Sequence, residues 1–152
     1  MVGREDKKLN DLFYTCGLIA YIARKTKNTP KDVVNKLGIE AIDKIYDLAD
    51  IYHSDNIKRV SDDFIDEYNI THGNFNNVDE CEYMVPTHWD IGKVYRRLIS
   101  AVAQDEGIDV IDALMKVYNS STSDLIENYN SSFYYDNPMS IFYTYKNNGI
   151  PE

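Results

Sequence analysis

Leu9, Leu12, Phe13, Cys16, Ile19, Ala20 and Ala23 recur at steps of three and four residues, which puts them along one side of a helix and on no strand face. Almost every other apolar segment repeats that period. Val33, Val34 and Leu37 follow the start signal Thr29-Pro30 and are closed by Gly38; Ile42, Ile45, Tyr46, Ala49 and Tyr52 line the next helix, which ends near His53. Ser54 or Asp55 is placed to cap a helix with Ile57, Val60, Phe64, Ile65 and Tyr68. After Thr87 come Ile91, Val94, Tyr95, Leu98, Ile99 and Val102, stopped by Gly107, then Ile108, Ile111, Leu114, Met115 and Tyr118. Leu125, Ile126 and Tyr129 mark one more helix, and Ile141, Phe142 and Tyr145 a last one behind Asn137-Pro138. Strand alternation and hairpin signals are scarce. The expectation is an all-α fold, a compact bundle of about six to eight helices in a single domain spanning 1–152.

Residues 70–87, rich in Asn with Gly73 and Pro86, interrupt this pattern as a long loop with room for two short strands. On either side of it the chain resembles itself. Leu18-Ile19-Ala20-Tyr21-Ile22-Ala23 matches Leu98-Ile99-Ser100-Ala101-Val102-Ala103, Gly38-Ile39-Glu40-Ala41-Ile42-Asp43 matches Gly107-Ile108-Asp109-Val110-Ile111-Asp112, and the stretch at 61–69 matches that at 123–130. The order is the same in both copies, and their separation shrinks along the chain. An internal repeat of 9–69 and 88–130, two pseudo-symmetric units of three to four helices joined by the loop, is the expected organisation.

Charge bounds the function. Of the net −9, residues 1–60 carry 11 Lys and Arg against 9 Asp and Glu, whereas 61–152 carry 5 against 16. Such a surface repels phosphate, so nucleic acid is not expected as a direct ligand, and a basic protein partner is. The cluster Arg24, Lys25, Lys27 and Lys31 is explained by the negative end of the first helix. The charged start around Gly3-Arg4-Glu5-Asp6-Lys7-Lys8 does not resemble a secretion signal, and no apolar run approaches the ~18 residues of a membrane span, which gives a cytoplasmic protein away from membranes. Cys16 and Cys81 form no disulfide scaffold.

Motifs for nucleotide, metal or serine-hydrolase chemistry are missing, so no cofactor is expected. His72, Cys81 and His88 carry zinc-compatible side chains, but eight and six residues intervene and no paired ligand motif is present. His53 sits at a helix end between Asp50 and Asp55, where a cap role suffices. The carboxylates of Asp62, Asp63, Asp66 and Glu67 fall at helical spacing on one acidic face. Tyrosine is abundant, 13 against 5 Phe and one Trp, and Tyr129, Tyr134 and Tyr135 crowd the C-terminal part. With its apolar body and polar tip, tyrosine suits interfaces. Those seven residues are the expected interaction set. Trp89, at a helix start, is expected to staple the loop to the core.

Residues 11–68 resemble a family of small helical bacterial and phage domains of unknown function from gut Firmicutes. The likeness is carried by Phe13, Leu18-Ile19, Lys25-Thr26-Lys27, residues 33–37, Gly38, Ile45-Tyr46, Tyr52-His53 and Phe64-Ile65, and Trp89-Asp90-Ile91-Gly92-Lys93-Val94-Tyr95 is similar to longer relatives. The resemblance implies mobile-element biology and a role through partners, and it brings no catalytic residues.

Three functions follow as expectations. The first is a non-enzymatic acidic interaction protein, antitoxin-like or an inhibitor, that binds a basic partner. The second is a phage-type mimic of nucleic-acid charge acting on a defence nuclease. The third is a small enzyme using His53 or His88 with a carboxylate. A homo-oligomer is compatible with each.

Overall fold

A computed structural model describes residues 4–150, and every regular element among them is helical. The charged start is therefore described only from Arg4 onward, as the first turn of α1 (Arg4–Thr26). There follow α2 (Pro30–Asp47), α3 (Ala49–His53), α4 (Ile57–Glu67), the short α5 (Asn77–Glu80), α6 (His88–Glu106), α7 (Val110–Tyr118), α8 (Ser121–Glu127), a 3-10 turn at Phe133–Tyr135 and α9 (Pro138–Lys146). The 70–87 stretch holds α5 and no strand, which corrects that part of the expectation.

The long helices α1 and α6 form the spine. They run in opposite directions: Asn10 lies by Arg96, Gly17 by Gly92, and Arg24 by Pro86. A Cβ on Gly92 would stand 2.9 Å from the Gly17 nitrogen, so the two backbones touch where the helices cross. Trp89 lies over Gly17 and faces Phe13 at 5.3 Å, so this aromatic ring holds the start of α6 to α1 rather than the loop alone. α1 is buried on almost all sides from Asp11 to Ala20, wider than the stripe read from the sequence. Its internal hydroxyls are satisfied locally: Thr15 donates to the Asp11 carbonyl and Thr26 to that of Ile22.

The remaining helices cover this spine. α2 packs on α1 and α7, α7 on α6, α9 on α6, and α3 and α4 on α1. One apolar core runs from Leu12 to Ile141. Gly38 closes the helical stretch of Val33, Val34 and Leu37 as expected: at φ 82°, ψ 165°, a conformation open essentially to glycine, it breaks α2, and a second helical stretch with Ile42 and Ile45 follows. The α4 cap is Asn56, which accepts from the Lys58 N–H, instead of Ser54 or Asp55. Thr87 and Asp90 form a reciprocal capping box at the start of α6, and Gly107 closes that helix at φ 65°.

The segments matched in sequence fall on α1 and α6, on the Gly38 break and the turn into α7, and on α4 and α8. α1 packs on α6, and α2, which contains the Gly38 break, on α7. α4, however, packs on α1 and α3, while α8 packs on α7, α9 and the 3-10 turn.

Candidate functional site: a buried carboxylate behind a tyrosine groove

Glu127, the last residue of α8, is only 6% exposed. A carboxylate that far from water needs donors, and three elements supply them. The Tyr95 hydroxyl of α6 donates to Oε2 at 2.8 Å and meets the Ser123 hydroxyl at 2.7 Å. The Tyr129 hydroxyl donates to Oε1 at 3.2 Å, as does the Asn77 amide at the start of α5, which also holds the Glu127 carbonyl at 2.9 Å. Arg24 of α1 closes the far end, donating to the Tyr129 hydroxyl at 3.0 Å and to the Pro86 carbonyl at 2.6 Å. The relay thus joins α1, α5, α6 and α8. Burial raises the Glu127 carboxyl above its ordinary range against the pull of Tyr95, Tyr129, Asn77 and Arg24. Burial likewise pushes up the phenols of Tyr95 and Tyr129, with Glu127 adding to both.

The basic cluster at the end of α1 therefore does more than complement a helix dipole. Arg24 enters this network, with its guanidinium carbon 5.4 Å from the Tyr129 ring centre, and Lys25 pairs with Asp62 of α4. Sequence reading missed Glu127 and Arg24 as partners, because nothing local tells a solvated helical glutamate from one that the distant Tyr95 and Asn77 will surround together with the nearby Tyr129.

From Tyr129 an aromatic series leads outward. Tyr134 stands edge-on to it at 5.8 Å, and Tyr135 follows at 4.7 Å. Of the three tyrosines in the expected interaction set, Tyr129 and Tyr134 are buried and Tyr135 is 78% exposed. Beside Tyr135 lie two residues absent from the expected set, Tyr83 at 68% and Met84 at 87% exposure. Asn130 fixes this neighbourhood. Its side-chain carbonyl accepts from the Glu82 N–H at 2.7 Å and its amide donates to the Glu80 carbonyl at 3.0 Å. The result is a groove of about 440 Å³ between the 81–84 segment and the 3-10 turn. Behind Asn130, a smaller hollow of about 230 Å³ borders Asn77, Glu80, Asp124 and Glu127.

Of the acidic residues on α4, Asp63, Asp66 and Glu67 are exposed, and Asp62 is half-buried against Lys25. They lie on a different element from the groove. His72, Cys81 and His88 do not come together: His72 is exposed, Cys81 lies against the Tyr83 and Tyr129 carbonyls, and His88 packs edge-on to Tyr21 at 5.2 Å. Among the described residues no group of three or more His, Cys, Asp and Glu side chains could hold a metal ion. His53 is exposed at the end of α3, 5.1 Å from the Tyr14 ring. Neither His53 nor His88 is paired with a carboxylate among the described residues.

Comparison of the chain with protein-family models, curated proteins and solved structures finds no match.

Proposed function

We propose that the protein is a non-enzymatic acidic interaction protein that binds a basic protein partner, in an antitoxin-like or inhibitor role. One observation carries this reading. Large apolar side chains stand open to solvent, at Tyr83, Met84 and Tyr135, in the half of the chain where carboxylates outnumber basic groups. The perturbed acid of the interior, Glu127, is engaged by Tyr95, Tyr129 and Asn77, which suits a carboxylate that braces a surface. In this reading the protein works in the cytoplasm, without a cofactor and without direct contact to nucleic acid. No helix among the described residues is long and apolar enough to cross a membrane. The resemblance to phage and mobile-element domains agrees with a role exercised through partners, and we keep the internal duplication as part of the proposal.

The test is capture on the immobilised protein from cells of its source, washed at rising salt. One stoichiometric basic protein, released as ionic strength screens the attraction, is expected. Retention that does not respond to salt, or no retained basic protein at all, contradicts the reading. The exposed row Asp63, Asp66 and Glu67 favours one second reading, mimicry of nucleic-acid charge. In that case the captured protein would be a nuclease, and DNA or RNA would displace the complex.

A further inference from the structure

We propose that the groove between Tyr83, Met84 and Tyr135 is the seat of that partner, and that it takes an arginine-bearing segment. The inference rests on the function proposed above and narrows it from an acidic half to one surface and one side chain.

Charge favours this surface over α4. The groove is built from the 81–84 segment and residues 129–135, which lie in two stretches, 60–92 and 117–145, that contain no Lys or Arg. The exposed carboxylates of Glu80, Glu82 and Asp136 flank it in the chain. Arg97 lies on the other side of Tyr134, by Asp136, and is the one basic residue of that hollow. On α4 the carboxylates share their helix with Lys58 and Arg59, and Asp62 is already paired with Lys25.

The chemistry of the wall selects the side chain. A guanidinium is planar, weakly hydrated and stacks on aromatic faces, whereas an ammonium is a compact, strongly hydrated charge. The aromatic series already accepts one guanidinium at its buried end, where Arg24 lies over Tyr129. At its open end Tyr135 and Tyr83 offer the same ring chemistry, with Met84 as a polarisable neighbour. The wall is also fixed in advance. Asn130 clamps the backbone leading into Tyr83, and Tyr129 is held by Glu127 and Arg24, so little ordering is left for the moment of binding.

The probes are a capped peptide of Gly-Arg repeats and its Gly-Lys counterpart, titrated calorimetrically into the whole protein at low salt and at physiological ionic strength. The expected result is binding of the arginine peptide, with the lysine peptide at least about threefold weaker. Y83A/Y135A, which removes two exposed rings and leaves the core intact, weakens the arginine peptide about tenfold. D63K/D66K/E67K on α4 changes it by less than about threefold. Undiminished binding by Y83A/Y135A, equal affinity for the two peptides, or no binding of the arginine peptide each overturns the inference. If the α4 variant alone abolishes binding, the groove is wrong while the acidic interaction function stands. A basic protein captured from cells and held equally well by Y83A/Y135A likewise excludes the groove and leaves that function standing. A dimer of this chain that Y83A/Y135A disperses overturns the inference by placing a second copy in the groove.

Discussion

The Tyr95 hydroxyl touches Glu127 Oε2 at 2.8 Å and the Ser123 hydroxyl at 2.7 Å, so a single phenol from α6 grips α8 at two points one turn apart. Its ring stacks on Tyr118 of α7 at 4.2 Å, which brings a third helix into the same contact. The consequences of removing the carboxylate are therefore spread over several elements. Glu127→Ala takes away the acceptor of the Tyr129 phenol, leaves Tyr95 with Ser123 alone and the Asn77 amide with the backbone carbonyl alone, and about 1–3 kcal/mol of stability should be lost in urea unfolding.

The same carboxyl gives stability a pH dependence of defined sign. Burial raises Glu127 above its ordinary value of 4.5, despite donors from Tyr95, Tyr129 and Asn77 and the charge of Arg24. The folded state then binds this proton more tightly than the unfolded chain does. Stability from this group falls as pH rises from 4.5 through the folded pKa and is constant above it. Glu127→Gln should flatten that part of the profile, measured by urea unfolding at pH steps from acid to neutral. An unchanged slope in the variant would assign the dependence to other groups.

Two glycines should resist substitution for different reasons. Gly92→Ala drives a methyl to 2.9 Å from the Gly17 backbone nitrogen, and neither backbone can yield by rotating a side chain. The overpacking, about 1–3 kcal/mol, outweighs the gain of up to ~1 kcal/mol in helix propensity. Gly38→Ala meets open space, yet φ 82° with ψ 165° is costly for any side chain, again about 1–3 kcal/mol. Thermal melts of both variants check this. A Gly38→Ala protein as stable as the parent would mean that the α2 break relaxes.

The helical periods read from the sequence account for the architecture well, because steps of three and four residues depend only on local geometry. Thr29, Thr87, Asn137 and Gly107 likewise act through neighbours a few residues away, and each caps or closes its helix as its type suggests. What the sequence hid depends on distant pairings. Arg24 and Tyr129 are 105 residues apart, and no local pattern sets apart a lysine-like surface arginine from one that will lie beneath a phenol. The tyrosines show the same limit. Composition picks out Tyr129, Tyr134 and Tyr135 together, but the fold turns two inward and pairs the third with Tyr83 and Met84 across the chain. Asn56 displaces Ser54 and Asp55 as a cap for a nearer reason: the helix begins one or two residues later than the pattern implies.

The two thiols should separate cleanly. Cys16 is fully buried, and burial pushes its thiol up to about 12, so it stays protonated and shielded at neutral pH. Cys81 is half-buried at the edge of the groove, with its sulfur 3.4 Å from the Tyr83 carbonyl. A thiol-specific reagent should label one cysteine in the native protein and both only after denaturation. Bound arginine peptide should slow the native reaction.

Asn130→Ala should loosen the segment that carries Tyr83 without unfolding the core. Hydrogen exchange at Glu82, whose N–H loses its acceptor, is expected to rise, with a stability loss of about 1 kcal/mol. Peptide affinity should fall although Tyr83, Met84 and Tyr135 are unchanged, because ordering of the segment is deferred to the binding step.

The most direct measurement is a nuclear magnetic resonance titration of the labelled whole protein with the Gly-Arg peptide, following every backbone amide. Shifts concentrated at residues 81–84 and 129–136, and diminished by added salt, are the predicted result. Shifts confined to α4 around Asp63, Asp66 and Glu67, or none at all under conditions where the captured basic partner binds, would contradict it.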